Sequence, residues 1–186
     1  KVGGYYDPNL EAIVALRPTL VVLFAKQEDV VSKLDSLGIT LLKVAGDTVA
    51  EIKQAIAAVG AECGKREEAD RLIADLDQRM ARVAKRTRGA PQPSVLICIG
   101  RNMDGGGLRD VYAAGIDGYF DKLIAMAGGT PAYATPGIRF PQLAAEGIME
   151  IDPQIIVDLC PQAEESGRTI AQLTADWDEV SVVRAV

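Results

Sequence analysis

The chain contains no histidine. That removes the commonest general base and the commonest nitrogen ligand for a metal. A Ser-His-Asp triad cannot be assembled, and no Gly-x-Ser-x-Gly elbow occurs. There are three cysteines, Cys63, Cys98 and Cys160. They lack metal-type spacing, and their odd number builds no disulfide framework. Cys98 sits inside an apolar run and is expected to be a buried thiol. No run of eighteen apolar residues is present to span a membrane. Nor is there a basic stripe for nucleic acid: the formal charge is −6 and the pI about 4.8. The basic run Lys85-Arg86-Thr87-Arg88 falls at a predicted helix end, where it complements the helix dipole. No signal-peptide pattern is visible, and the abrupt start at Lys1 reads as part of a longer protein.

What the chain does have is a repeat. Residues 11–24 (EAIVALRPTLVVLF) align with residues 146–159 (EGIMEIDPQIIVDL). Glu11 meets Glu146, Ile13 meets Ile148, Pro18 meets Pro153 and Val22 meets Val157. Each copy reads as a short helix, a proline turn and a strand covered on both faces. Two such units predict two like lobes with a cleft.

Local signals fill in the rest. Asp7 and Pro8 predict a helix start, with the helix running to about Leu16. Leu20–Phe24 reads as a strand, Glu28–Leu37 as a helix closed by Gly38, and Thr40–Val44 as a second strand. Thr48 and Glu51 form a capping-box pattern ahead of a helix that runs to Gly60. From Lys65 to Arg88, Ala69, Leu72, Ile73, Leu76, Met80, Val83 and Ala84 recur at helical spacing. That helix is ~36 Å long at 1.5 Å per residue. Ser94–Ile99 is a strand, residues 100–107 a flexible glycine loop, and Gly118–Ala127 a helix. Trp177 opens a last fragment with no clear structural end. The alternation of strands and helices indicates an α/β fold. It has two lobes, each with a mainly parallel sheet flanked by helices, joined by one long connecting α-helix. The divisions are 1–62, 63–90 and 91–186.

The glycine loop matches neither dinucleotide nor P-loop spacing. It is expected to be a mobile loop at a carboxyl strand end, where ligands of open α/β sheets bind. No carboxylate pair is spaced for acid–base work. Glu11 and Glu146 stand apart because each lies in the first turn of an equivalent helix. Dipole stabilisation accounts for that position. So does a pair of exposed charges, one per lobe, directed at a two-fold basic partner.

Val2-Gly3-Gly4-Tyr5, Asp7 to Ile13 and Ala15-Leu16-Arg17-Pro18 resemble the N-lobe signature of ABC-importer substrate-binding proteins for iron siderophores, haem and vitamin B12. Gly128-Gly129, Phe140-Pro141-Gln142-Leu143, Glu146 and Asp152 to Ile156 resemble the C-lobe signature. The resemblance covers nearly the whole chain, and the helix from Lys65 resembles the family's rigid connector. It implies a periplasmic or membrane-surface protein, peripheral to the membrane, with small hinge motion and no catalytic role, catalytic cofactor or resident metal. Its ligand would be an iron siderophore, haem or cobalamin, and its partner an ABC permease dimer. Glu11 and Glu146 match the glutamates that dock on arginine pockets of that permease. Against the family pattern, the opening strand and first helices of the N-lobe are missing, as is the completion after Trp177. The missing parts would carry a signal peptide or lipoprotein cysteine.

Topology supplies the expected ligand contacts. The carboxyl strand ends carry Phe24, Lys26 and Gln27, then Arg101, Asn102 and Asp104, then Cys160-Pro161-Gln162. Tyr5, Tyr6, Tyr119, Tyr133 and Arg139 join them. Lys26 and Arg101 suit an anionic chelate, and tyrosines suit a flat ligand. Two other readings share these features: a ligand-sensing module of a membrane signalling protein, and an α/β chelatase-like enzyme.

Overall fold

Asn9 starts the first helix, its Oδ1 accepting the Ala12 amide at 2.9 Å. The expected cap, Asp7, lies outside the described residues, which are 2–4, 8–161, 163 and 166–186 of this computed structural model. Helix α1, Leu10–Ala15, ends where Arg17 turns left-handed (φ 47) ahead of Pro18. Strand β1, Val21–Phe24, then pairs in parallel with β2, Leu41–Val44, in the register Val21 to Leu41 through Phe24 to Val44. Between them lies α2, Glu28–Ser36, followed by Gly38 at φ 71.

Thr48 and Glu51 make the predicted capping box at the start of α3, Val49–Glu62. Near its end, Gly60 lets α3 approach the next helix so closely that a Cβ there would collide with Ala69. That next helix, α4, covers Arg66–Thr87. The chain divides into two units, Lys1–Gln78 and Arg79–Val186, and the division falls inside α4. Of the apolar face predicted for α4, Ala69 is buried, Ile73, Leu76 and Met80 are half-buried, and Leu72 and Val83 are exposed. Lys53 on α3 pairs with Asp77. Among the described residues of the first unit, Ile13, Leu23, Leu34 and Ala69 are the buried apolar ones.

The second unit is built on β3, Ser94–Asn102. Cys98 pairs with Asp158 of β7, Ile155–Asp158, and with Ala113 of β4, Arg109–Ala113. β4 and β7 therefore occupy opposite edges of β3. Val95 pairs with both Ile155 and Pro131, which places β5, Thr130–Pro131, on the β4 side. β6, Gln142–Leu143, adds to β4. β5 and β7 run parallel to β3, whereas β4 is antiparallel to its neighbours. Helices α5, Tyr119–Met126, α6, Ala145–Ile151, and α7, Ile170–Ala175, complete the unit together with a 3-10 helix, Asp176–Val180.

Three expectations need correction. β3 continues through Arg101 and Asn102 and returns as β4, so residues 100–107 form a strand end and a hairpin rather than a free loop. Strand pairing, with register shifts on either side of Gly100, carries the chain past that glycine before it turns. The repeated strands are not covered on both faces. The equivalent valines Val22 and Val157 are 44% and 39% exposed, because β1 and β7 each leave one face open. Finally, the fragment from Trp177, which shows no clear structural end in the sequence, is packed. Trp177, Val180 and Val183 are buried in one cluster with Leu96, Cys98, Val111 and Ile148.

Candidate functional site

In the first unit, parallel pairing brings the carboxyl ends of β1 and β2 side by side. Lys26 Nζ lies 2.9 Å from Asp47 Oδ1 and 5.9 Å from the centre of the Phe24 ring. Gly46 makes room for that ring, since a Cβ there would sit 2.9 Å from it. Phe24 and Gln27 also border an apolar cavity of about 570 Å³, walled by Ile13, Leu16, Leu20 and Leu34. Lys26 is therefore already matched with a carboxylate. Asp47 and Gly46 carried no motif in the sequence, and only strand pairing joins them to Phe24 and Lys26.

In the second unit Arg101 was expected to face ligand. Its side chain is instead fully buried. Nε donates to Asp158 Oδ2 at 2.9 Å, Nη1 to Asp176 Oδ2 at 2.7 Å and Nη2 to the Leu173 carbonyl at 2.9 Å. A guanidinium with its donors so committed is a structural group. Asp176 also receives both terminal nitrogens of Arg168 at 2.7 Å. Trp177 Nε1 donates to Asp158 at 2.9 Å. The Arg168 fork, with Arg101 behind it, holds the Asp176 carboxyl far below its ordinary 3.8. Burial works to raise Asp158, but hydrogen bonds from Cys160, Trp177 and Arg101 outweigh it and keep its pKa low. Burial, reinforced by Asp158, pushes the Cys98 thiol up to about 12 and the Cys160 thiol up to about 11.

Asn102 and Asp104 are exposed at the carboxyl end of β3, and Asn102 Oδ1 accepts the Asp104 amide at 2.9 Å. The Tyr119 ring lies 4.3 Å from that of Phe120. Arg139 is exposed and tied through its backbone, its carbonyl accepting the Gly115 amide at 2.8 Å. Asp117 Oδ2 accepts the Gly137 amide at 3.2 Å. These two bonds bring the loop that carries Arg139 to the loop that leads into Tyr119. Tyr133 is half-buried. Tyr5, Tyr6 and Gln162 lie outside the described residues. A second cavity, of about 580 Å³, opens beside β7 between Asp158, Cys160, Leu173 and Trp177.

Glu11 and Glu146 are both exposed in the first turns of α1 and α6. The repeat extends to backbone geometry. The residues before the two matched prolines, Arg17 and Asp152, have φ 47 and 45, and Ile13 and Ile148 are buried behind the two glutamates.

Among the described residues, no group of three or more His, Cys, Asp or Glu is arranged to hold a metal ion. No helix among them is long and apolar enough to cross a membrane.

The chain is similar to the vitamin B12-binding protein of Salmonella typhi, 26% identical over 159 residues, which are 84% of this chain and 57% of that protein. It thus spans little more than half the length of the curated relatives it matches. Among solved structures it is similar to the periplasmic heme-binding protein RhuT from Roseiflexus sp. RS-1. The TM-score is 0.77 at 25% identity, covering 94% of this chain and 66% of that one. A periplasmic heme-binding protein from Pseudomonas aeruginosa gives 0.79 at 21%, covering 99% and 66%. The likeness to the latter shows the fold. The periplasmic binding protein family model matches residues 1–186, and the chain belongs to that family.

Proposed function

We propose that this chain is the ligand-binding part of a substrate-binding protein serving an ABC importer, and that its ligand is an iron chelate, haem or cobalamin. The family match along the whole chain carries the reading. Relatives named for vitamin B12 and for heme support the ligand class. Binding rather than catalysis fits a chain without histidine. The periplasm, or the outer face of the membrane, is the compartment in this reading.

Ligand contacts in this reading come from Phe24, Lys26 and Gln27 at the carboxyl end of β1 in one unit, and from Asn102, Asp104, Tyr119 and Arg139 in the other. Arg101 is withdrawn from that set because its donors are spent internally. The α4 helix acts as the connector, and Glu11 and Glu146 are the permease-docking charges. Their equivalent exposed positions in the repeat support that role.

The test is an absorbance titration of the purified chain with hemin, cyanocobalamin and a ferric siderophore. Saturable binding of one of the three, with micromolar or tighter affinity, is expected. Failure to bind any of them rejects the proposal.

A further inference from the structure

The β3–β4 hairpin carries three successive glycines, Gly105, Gly106 and Gly107, at φ 77, 79 and 77. Such a run has more backbone freedom to lose than any other sequence. Backbone amides turned to one side of such a tight hairpin can hold an anion. Here the anions come from the protein. Gly107 N–H donates to Asp176 Oδ1 at 3.0 Å, and Leu108 N–H donates to Glu179 Oε2 at 2.8 Å. Arg168 closes the far side, with Nη1 3.3 Å from the Met103 carbonyl while it grips Asp176. The Gly107 amide and its neighbour Leu108 are thus already taken by carboxylates, which counts against a phosphate site here. The fit is close: a Cβ on Gly107 would sit 2.9 Å from Glu179 Oε2.

We infer that Glu179 and Asp176, on the 3-10 helix, are positioning residues for the ligand-facing hairpin at Asn102–Leu108. The inference rests on the binding reading above, in which Asn102 and Asp104 face the ligand. Neither Glu179 nor Asp176 touches ligand. They fix a glycine hairpin in one conformation before ligand arrives, so that binding does not have to order it. Glu179 is the cleaner of the two to test. It is exposed and lies outside the buried ion pairs, so replacing it leaves the core intact.

The experiment compares the full chain with Glu179→Ala, Glu179→Gln and Gly107→Ala. Amide exchange over residues 103–108 is measured by mass spectrometry, and hemin and cyanocobalamin are titrated by absorbance. Glu179→Ala should speed exchange in the hairpin and weaken the probe that the native chain binds by about tenfold, as expected for a lost charge-assisted hydrogen bond. Glu179→Gln keeps an acceptor for the Leu108 amide and should restore most of both. Gly107→Ala should reproduce the loss from the hairpin side. Fast exchange with native affinity overturns the inference alone, as does unchanged exchange in Glu179→Ala. A native chain that binds neither probe counts against this inference, and failure with a ferric siderophore as well rejects the binding reading too.

Discussion

Arg101 Nη1 and Asp176 Oδ2 meet at 2.7 Å with side chains 0% and 5% exposed. They link the carboxyl end of β3 to a segment 75 residues later in the chain. Removing one member of a buried pair strands the other charge. Asp176→Ala should therefore destabilise the second unit by about 3–5 kcal/mol. Arg184 and Asp152 also meet at 2.7 Å, but they are 58% and 42% exposed. Arg184→Ala should cost less than about 1 kcal/mol. Urea denaturation of the two variants checks the contrast. Equal losses would show that burial does not set the value of these pairs.

The same network fixes an acid response. Asp176 and Asp158 have pKa values held below the ordinary 3.8. A depressed carboxyl contributes stability in full above its unfolded pKa and loses it as pH falls toward the folded value. The second unit should thus be insensitive to these groups at pH 5–7, taken as about 1–3 units above the unfolded value, and weaken progressively below 3.8. Melting curves against pH should flatten in Asp176→Asn. A native-like acid slope in that variant would exclude Asp176 as the source.

Thiol reactivity should be graded. Cys63 is exposed, Cys160 half-buried and Cys98 buried, and the latter two thiols are pushed up to about 11 and about 12. The thiolate is the reactive form. Iodoacetamide at neutral pH should label Cys63 first and Cys160 slowly, and reach Cys98 only on unfolding. Early labelling of Cys98 in mass spectra would contradict the packing around β3.

Gly60 is needed for a close helix approach rather than for a turn. Gly60→Ala drives a methyl into Ala69 and should destabilise the first unit by about 1–3 kcal/mol. At an unobstructed helical site the same change would stabilise. A rise in Tm would therefore refute the crowding.

The docking proposal makes its own demand. Glu11→Ala with Glu146→Ala should abolish uptake of the bound chelate in cells or proteoliposomes, with ligand Kd changed less than about twofold, since exposed charges seldom alter distant sites. A large loss of ligand affinity in the double variant would assign the glutamates to binding instead.

Much of the molecule could be read from local chemistry. Pro18, Pro153, Gly38 and the Thr48–Glu51 box act within a few residues, and the structure places turns, helix ends and a cap where they stand. The α/β class followed from the alternation of elements, and the exposure of Glu11 and Glu146 from their first-turn positions. Residues 100–113 were different. Three glycines signal a loop, yet β4 forms because Val111 and Ala113 find buried places beside Leu96 and Cys98.

Arg101 marks the boundary most sharply. An arginine after an apolar strand reads as a surface charge waiting for an anion, and sequence spacing cannot show that Asp158, Asp176 and the Leu173 carbonyl converge on it. Those partners lie 57 to 75 residues away. Their meeting depends on how β7, α7 and the 3-10 helix pack, which is a long-range outcome of burial. Short-range propensity therefore decided the elements, the repeat and the exposed glutamates. Tertiary packing alone decided which polar groups are spent inside the protein and which remain for a ligand.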